Sequence, residues 1–263
     1  MMPPRPPPRQ TRDMRNQTDR LSRSPATASH GAPTLIGHVY ELLRQDIIAG
    51  RYAPEERLRV EHLRGEHQVA ASTMREALSR LLAEGLVTME GQRGFRVAPM
   101  SLEDLEDITR LRVIIEKEAM SDAIRCGDLS WESGVVAAFH ALSRAEKALK
   151  DGADNGFSEA IAEWERRNAA FHKALMAACN SPRLRVLQET LYQQHERYRR
   201  RALELRTPHQ DRPAAWPRDV HAEHLALKDA AVNREEAEAL RLIEEHIRST
   251  ATAVAHGFNV SQA

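Results

Sequence analysis

The feature that most constrains this 263-residue chain is the segment 34–99, where the hydrophobic period changes twice. Ile36, Val39, Tyr40, Leu43 and Ile47 fall at helical spacing, and Gly50 supplies a stop. Residues 58–66 predict a second, short helix. A third is predicted to open at Thr73. Thr73 with Glu76 three residues later has the form of a capping box, in which each side chain satisfies an orphan amide at a helix start. Met74, Ala77, Leu78, Leu81 and Leu82 give that helix its apolar stripe, and Gly85 ends it. Residues 86–90, the turn 91–94 and residues 95–97 read as strand, turn, strand. Three short helices followed by a hairpin is the order of a winged helix-turn-helix.

Beyond Pro99 the pattern is helical, with helices predicted near 102–126, 130–150, 157–178, 183–206, 217–231 and 233–256. Breaks fall at Gly127-Asp128, Asp151-Gly152, Asn180-Ser181-Pro182, the stretch 208–217 and Asn233. The expected fold is mainly α: a winged helix-turn-helix over 34–99, then an all-helical antiparallel bundle over 100–256 and a short tail over 257–263. Residues 1–33 hold seven of the thirteen prolines and six arginines against two aspartates, so a disordered basic tail is expected there. No apolar run approaches the roughly 18 residues of a membrane span. Two cysteines, Cys126 and Cys179, are too few for a disulfide scaffold and fit a reducing, cytoplasmic setting. Formal net charge is zero, so any DNA contact must come from a local patch.

In a helix-turn-helix the second helix of the pair enters the major groove, and its amino-terminal residues meet bases and phosphates. Ser72 and Thr73 at that helix start are candidate donors to phosphate or base. Arg75, opposite Leu78 and Leu82, is a candidate for a two-donor grip on guanine. Arg93, followed by Gly94 at the hairpin tip, suits a wing in the minor groove. The alternative is a small domain that makes only protein contacts. The ordered combination of elements favours DNA.

In the bundle, Asn168 and His172 are four residues apart and share a helix face. His224 and His246 lie on the last two helices. Imidazoles suit Zn, Ni, Cu or Fe, and an amide oxygen can complete a mixed site. A strictly parallel hairpin turning at Asn233 would offset His224 and His246 by about 6 Å, at 1.5 Å per residue, so periodicity alone does not assemble the set. His221 is a nearby competitor, and His140 and His195 read as structural or exposed. Arg112, among Leu111, Val113, Ile114 and Ile115, is a candidate carboxylate anchor; its alternative is an ion pair with Glu116. Arg197 and Tyr198 are candidates for a second anion contact. A metal-dependent helical enzyme with a fused nucleic-acid module is the competing reading. No general base or nucleophile motif accompanies the histidines.

The run Leu43-Arg44, Asp46-Ile47-Ile48, Gly50, Pro54, Leu58, Leu63, Arg75-Glu76-Ala77-Leu78, Leu81, Glu84-Gly85-Leu86-Val87 and Gly94-Phe95 with Val97 resembles the amino-terminal domain of GntR-family transcription regulators. Leu105, Leu111, Arg112 and Glu116 resemble the opening helix of the FCD effector domain of the FadR subfamily. The resemblance implies a dimeric, ligand-responsive factor, most often a repressor, on a palindromic double-stranded DNA operator, and not an enzyme. It implies a divalent transition metal, Zn or Ni foremost, at the positions matching Asn168, His172, His224 and His246, beside a small carboxylate effector. Two departures stand out. Ala71 occupies a position where many members carry arginine, which leaves Arg59 as a compensating DNA contact. Asn168 replaces the usual aspartate, which weakens metal binding. Within the subfamily, Arg75-Glu76-Ala77-Leu78-Ser79 and Gly94-Phe95-Arg96-Val97-Ala98 look most like CsiR-type regulators of glutarate and related dicarboxylate catabolism.

Overall fold

The computed structural model describes residues 34–91, 94–151, 157–205 and 218–260. The expected basic tail, Arg93 at the hairpin tip and the stretch 206–217 lie outside the described residues. The amino-terminal part runs α1 (Leu35–Ile48), β1 (Arg57–Leu58), α2 (Val60–Glu66), α3 (Ala71–Ala83), β2 (Val87–Met89) and β3 (Phe95–Val97). The rest is helical: α4 (Leu102–Cys126), α5 (Leu129–Lys150), α6 (Phe157–Leu175), α7 (Pro182–Leu205), α8 (Val220–Val232) and α9 (Glu236–Val260).

The winged part closes on one apolar stripe from each helix. Val39, Leu43 and Ile47 of α1 meet Met74, Ala77, Leu78 and Leu81 of α3, all enclosed. Gly50, at φ +76°, ends α1 in the left-handed conformation, which lets the Arg51 amide reach the Asp46 carbonyl at 2.9 Å. Two local expectations are corrected. Residues 58–66 are not one helix: Leu58 sits in β1, paired antiparallel with Phe95, so the sheet has the order β1-β3-β2 and β3 is its centre. A buried Leu58 gains more by covering β3 than by adding a turn to α2. The capping box at Thr73 does not form. Helix α3 begins at Ala71 after an extended Ala70 with no side-chain cap, and the Met74 amide already bonds the Ala70 carbonyl at 3.1 Å. Thr73 thus lies within the first turn rather than before it.

Several helices open on a side-chain cap, among them α5 at the predicted break Gly127-Asp128. Ser101 accepts the Asp104 amide, Asp128 the Trp131 amide and Asp219 the Ala222 amide. Helix α4 packs on α7 and α9, and α5 packs on α6 and α8. Their shared core includes Met120, Leu142, Phe171, Leu175, Leu227 and Ile243. Helix α9 continues to Val260, so residues 257–260 belong to it rather than to a tail. Among the described residues no helix is long and apolar enough to cross a membrane.

Leu78 has no exposed surface and joins α1 to α3. Leu78→Ala is expected to destabilise the protein by about 2–5 kcal/mol through lost transfer energy and a residual cavity, read by chemical denaturation.

Candidate functional site

The side chains read as DNA contacts spread along one part of the winged domain. Ser72 and Arg75 are exposed on the first turns of α3, and Thr73 is half-buried. Arg80, further along, is held by Glu76 at 2.8 Å. Arg59 is exposed at the residue preceding α2. Gly94, at φ +94°, turns the chain into β3.

In the bundle three elements bring histidines together. His172 comes from α6, His224 from α8 and His246 from α9. Their ring centroids are 5.8 Å (172–224), 5.2 Å (172–246) and 4.8 Å (224–246) apart. One ring nitrogen from each lies within 4.8 Å of the other two, and all three residues are buried. The 6 Å offset of a parallel hairpin is therefore absent. The cavity between them, about 20 Å³, has room for a water molecule or an ion. Arg112, Trp164, Asn168, Arg199, Arg218, Val220 and Thr250 complete its wall. Cys126 and Cys179 line a separate, larger groove of about 550 Å³ beside Trp131.

Each imidazole faces a carboxylate on its Nδ1 side. Glu146 Oε1 lies 2.8 Å from His224 Nδ1, Glu223 Oε2 lies 2.8 Å from His246 Nδ1, and Glu116 Oε2 lies 3.8 Å from His172 Nδ1. At 2.8 Å the carboxylates of Glu146 and Glu223 fix the tautomers of His224 and His246 and leave Nε2 as a lone pair, whereas His172 Nδ1 has no hydrogen-bond partner. His224 Nε2 is buried with no hydrogen-bond partner. Burial pushes the His172 imidazolium down to about 4, only partly offset by Glu116. Burial and the charges of His224 and His172 push His246 well below its ordinary value. Neutral imidazole is the form that binds a metal. Burial alone would raise the Glu146 carboxyl, but hydrogen bonds from His224 and His221 hold it below its ordinary range.

Asn168 presents its amide in a fixed sense. Its Nδ2 donates to the Tyr192 hydroxyl at 2.8 Å, and its buried Oδ1 has no partner. Tyr192 is held between two guanidinium groups, Arg112 at 5.1 Å and Arg199 at 5.2 Å from its ring centre. Arg199 is locked on Glu165 by bonds of 2.9 and 2.5 Å, and Arg112 bonds Glu116 at 2.7 Å. Arg112 makes the ion pair that was the alternative reading, and it also lines the cavity. Arg218 gives Nη2 to Glu223 at 2.7 Å, while its buried Nε and Nη1 have no partner. The donors present fit a divalent cation: orphaned His224 Nε2 and Asn168 Oδ1 beside two more neutral imidazoles.

Two anion candidates are corrected. Arg197 and Tyr198 lie outside the cavity wall. Arg197 donates to the Ala98 carbonyl at 2.6 Å, and Tyr198 donates to Asp104 at 2.6 Å while accepting the Ser101 amide. The helical turn carries them to the junction with the winged domain, whereas Arg199 of the same run reaches the cavity. His221, the competing ligand, stays half-exposed and donates to Glu146 from outside the cluster. Sequence reasoning missed Arg199, Arg218, Tyr192 and Glu146. Glu146 reaches His224 from 78 residues away, which no local spacing announces.

A winged helix-turn-helix joined to a helical bundle with a buried histidine cluster is the architecture of a DNA-binding regulator. Residues 35–97 match the bacterial regulatory proteins of the gntR family, and residues 107–249 match the FCD domain. The chain belongs to the GntR family and carries an FCD domain; it is a DNA-binding transcriptional regulator. It is 40% identical over 222 residues to the HTH-type transcriptional regulator BphR of Paraburkholderia xenovorans, covering 84% of this chain and 85% of that one. It is 35% identical over 212 residues to the HTH-type transcriptional repressor GlaR of Escherichia coli, covering 79% and 90%. The solved structure of E. coli McbR/YncC shares the fold at TM-score 0.69 and 19% identity, over 86% of this chain and 99% of that one. BphR and GlaR are named transcriptional regulators, and with the family match the enzyme alternative is set aside.

Glu146→Gln keeps the shape of the side chain and removes its charge. The expected result is a 10- to 100-fold loss of Zn²⁺ affinity, measured by competition with a chromogenic chelator.

Proposed function

We propose that this protein is a repressor that releases its operator in response to a small carboxylate bound at a metal in the histidine cavity. One observation carries the reading. The imidazoles of His172, His224 and His246 and the Asn168 amide oxygen converge on a cavity whose rim holds an arginine, Arg218, with two unpaired buried donors. A divalent cation there, Zn or Ni foremost, offsets the buried Glu146 charge and offers a Lewis-acid position to one carboxylate oxygen. The Arg218 donors then meet the remaining ligand oxygens. Arg112 supports this by holding Glu116 beside His172 rather than by direct contact alone. Asn168 in place of an acid lowers metal affinity and leaves more of the cation's charge for the ligand.

Support for repression comes from GlaR, a transcriptional repressor that shares 35% identity with this chain. The resemblance to CsiR-type regulators favours a dicarboxylate such as glutarate. A homodimer on a palindromic operator suits the winged-helix geometry, with Ser72, Thr73 and Arg75 in the major groove and Arg59, Arg93 and Gly94 on flanking phosphates and the minor groove. Cytoplasmic location follows from that role.

Two measurements test the reading. On the promoter duplex beside its own gene, binding should weaken steeply between low and moderate salt. Arg75→Ala should lose specific binding by at least about tenfold while circular dichroism is unchanged; retained affinity would displace α3 as the reading helix. In a thermal-shift series, glutarate should raise the melting temperature of Zn²⁺-loaded protein, and Arg218→Ala should cut that shift by half or more. A ligand shift that persists in metal-free protein would remove the metal from the site.

A further inference from the structure

Helix α7 has two working faces. One carries Tyr192 and Arg199 to the cavity, as described above. The other carries Gln194, Arg197 and Tyr198 to the winged domain and its junction. Gln194 Nε2 donates to the backbone carbonyl of Glu84 at 2.7 Å. Glu84 is the residue that caps α3, the helix bearing Ser72, Thr73 and Arg75. Carbonyls at the end of a helix have no partner within it and must find one elsewhere. Here the donor comes from the sensing domain, 110 residues further along the chain.

Gly85, the next residue, records the same contact. Its φ of +72° already favours glycine. In addition, a Cβ at this position would stand 2.6 Å from Gln194 Nε2. The side chain of Gln194 therefore lies against bare backbone at the end of α3. Tyr40 of α1 reinforces the point by donating to the Glu84 side chain at 2.7 Å. Five residues of one helix, about 7.5 Å of rise, separate Gln194 from Arg199 in the cavity wall.

We propose that Gln194 is the positioning residue by which the helical domain holds α3, so that occupancy of the cavity is passed along α7 to the DNA-reading helix. The inference rests on the reading of the cavity as the sensor. A shift of Arg199 on ligand binding moves a rigid helix, and the Gln194–Glu84 bond moves the end of α3 with it. Such coupling requires only that the occupant bind the two placements with different affinity.

The test uses the full chain, the promoter duplex beside its own gene and Zn²⁺ as the probe. Operator affinity is measured by fluorescence anisotropy with saturating Zn²⁺ and after chelation. Wild-type protein should show a ratio of at least about fivefold between the two states. Gln194→Glu keeps the shape and places a carboxylate oxygen against the Glu84 carbonyl. It should bring the ratio to near one while Zn²⁺ affinity stays within twofold of wild type. Gln194→Lys restores a donor and should recover at least half of the ratio on a logarithmic scale. Gly85→Ala, which crowds the contact, should perturb operator affinity less in a Gln194→Ala background than alone, a non-additive double-mutant cycle. A wild-type ratio that persists in Gln194→Glu and Gln194→Ala overturns this proposal and leaves the sensor standing. A wild-type protein whose operator affinity ignores bound Zn²⁺ overturns this proposal, whereas the carboxylate reading stands or falls on the thermal-shift series.

Discussion

Charge held away from water is the constraint around which the helical domain is arranged. Arg112–Glu116 and Arg199–Glu165 are enclosed ion pairs. Such pairs add little net stability, because desolvation offsets their attraction. Breaking one is costly, since the survivor stays buried and uncompensated. Each pair therefore fixes geometry. Tyr192 lies between the two guanidinium groups, and its hydroxyl sets the orientation of the Asn168 amide. Burial is the first cause that holds His172 and His246 below their ordinary range, and the Arg112 charge adds to it.

Much of this architecture was legible in the chain because helices announce themselves by period. The stripes of α1 and α3 and the breaks near Gly127, Pro182 and Asn233 needed only local reading. What escaped was set by tertiary contact. Strand β1 is two residues long, too short for any alternation, and exists because Leu58 finds Phe95. Thr73 matched a capping pattern, yet Ala70 and Ala71 start the helix earlier without a cap. The run 197–201 shows the limit most clearly. Successive helical residues point about 100° apart. Arg197 and Tyr198 were therefore read as anion contacts when Arg199, one position on, faces the cavity. His172, His224 and His246 were found by resemblance, and crossed helices supply the convergence that spacing could not.

The comparisons separate scaffold from chemistry. At 19% identity the McbR/YncC chain keeps the fold over nearly its whole length. A fold of this kind hosts many specificities, and the residues of the site decide among them. In this chain those residues come from each helix from α4 to α9, so the centre exists only when the bundle is assembled.

The size of the histidine cavity has a thermodynamic consequence. Space of about 20 Å³ admits a water molecule but not an organic acid of several carbons. On the proposed reading, an acid at the histidines selects a population in which these walls have parted. Observed affinity is the intrinsic affinity reduced by that fraction. A substitution that loosens the wall would tighten apparent binding while narrowing the difference between occupied and empty protein. Sensitivity and dynamic range are opposed by the tightness of this packing.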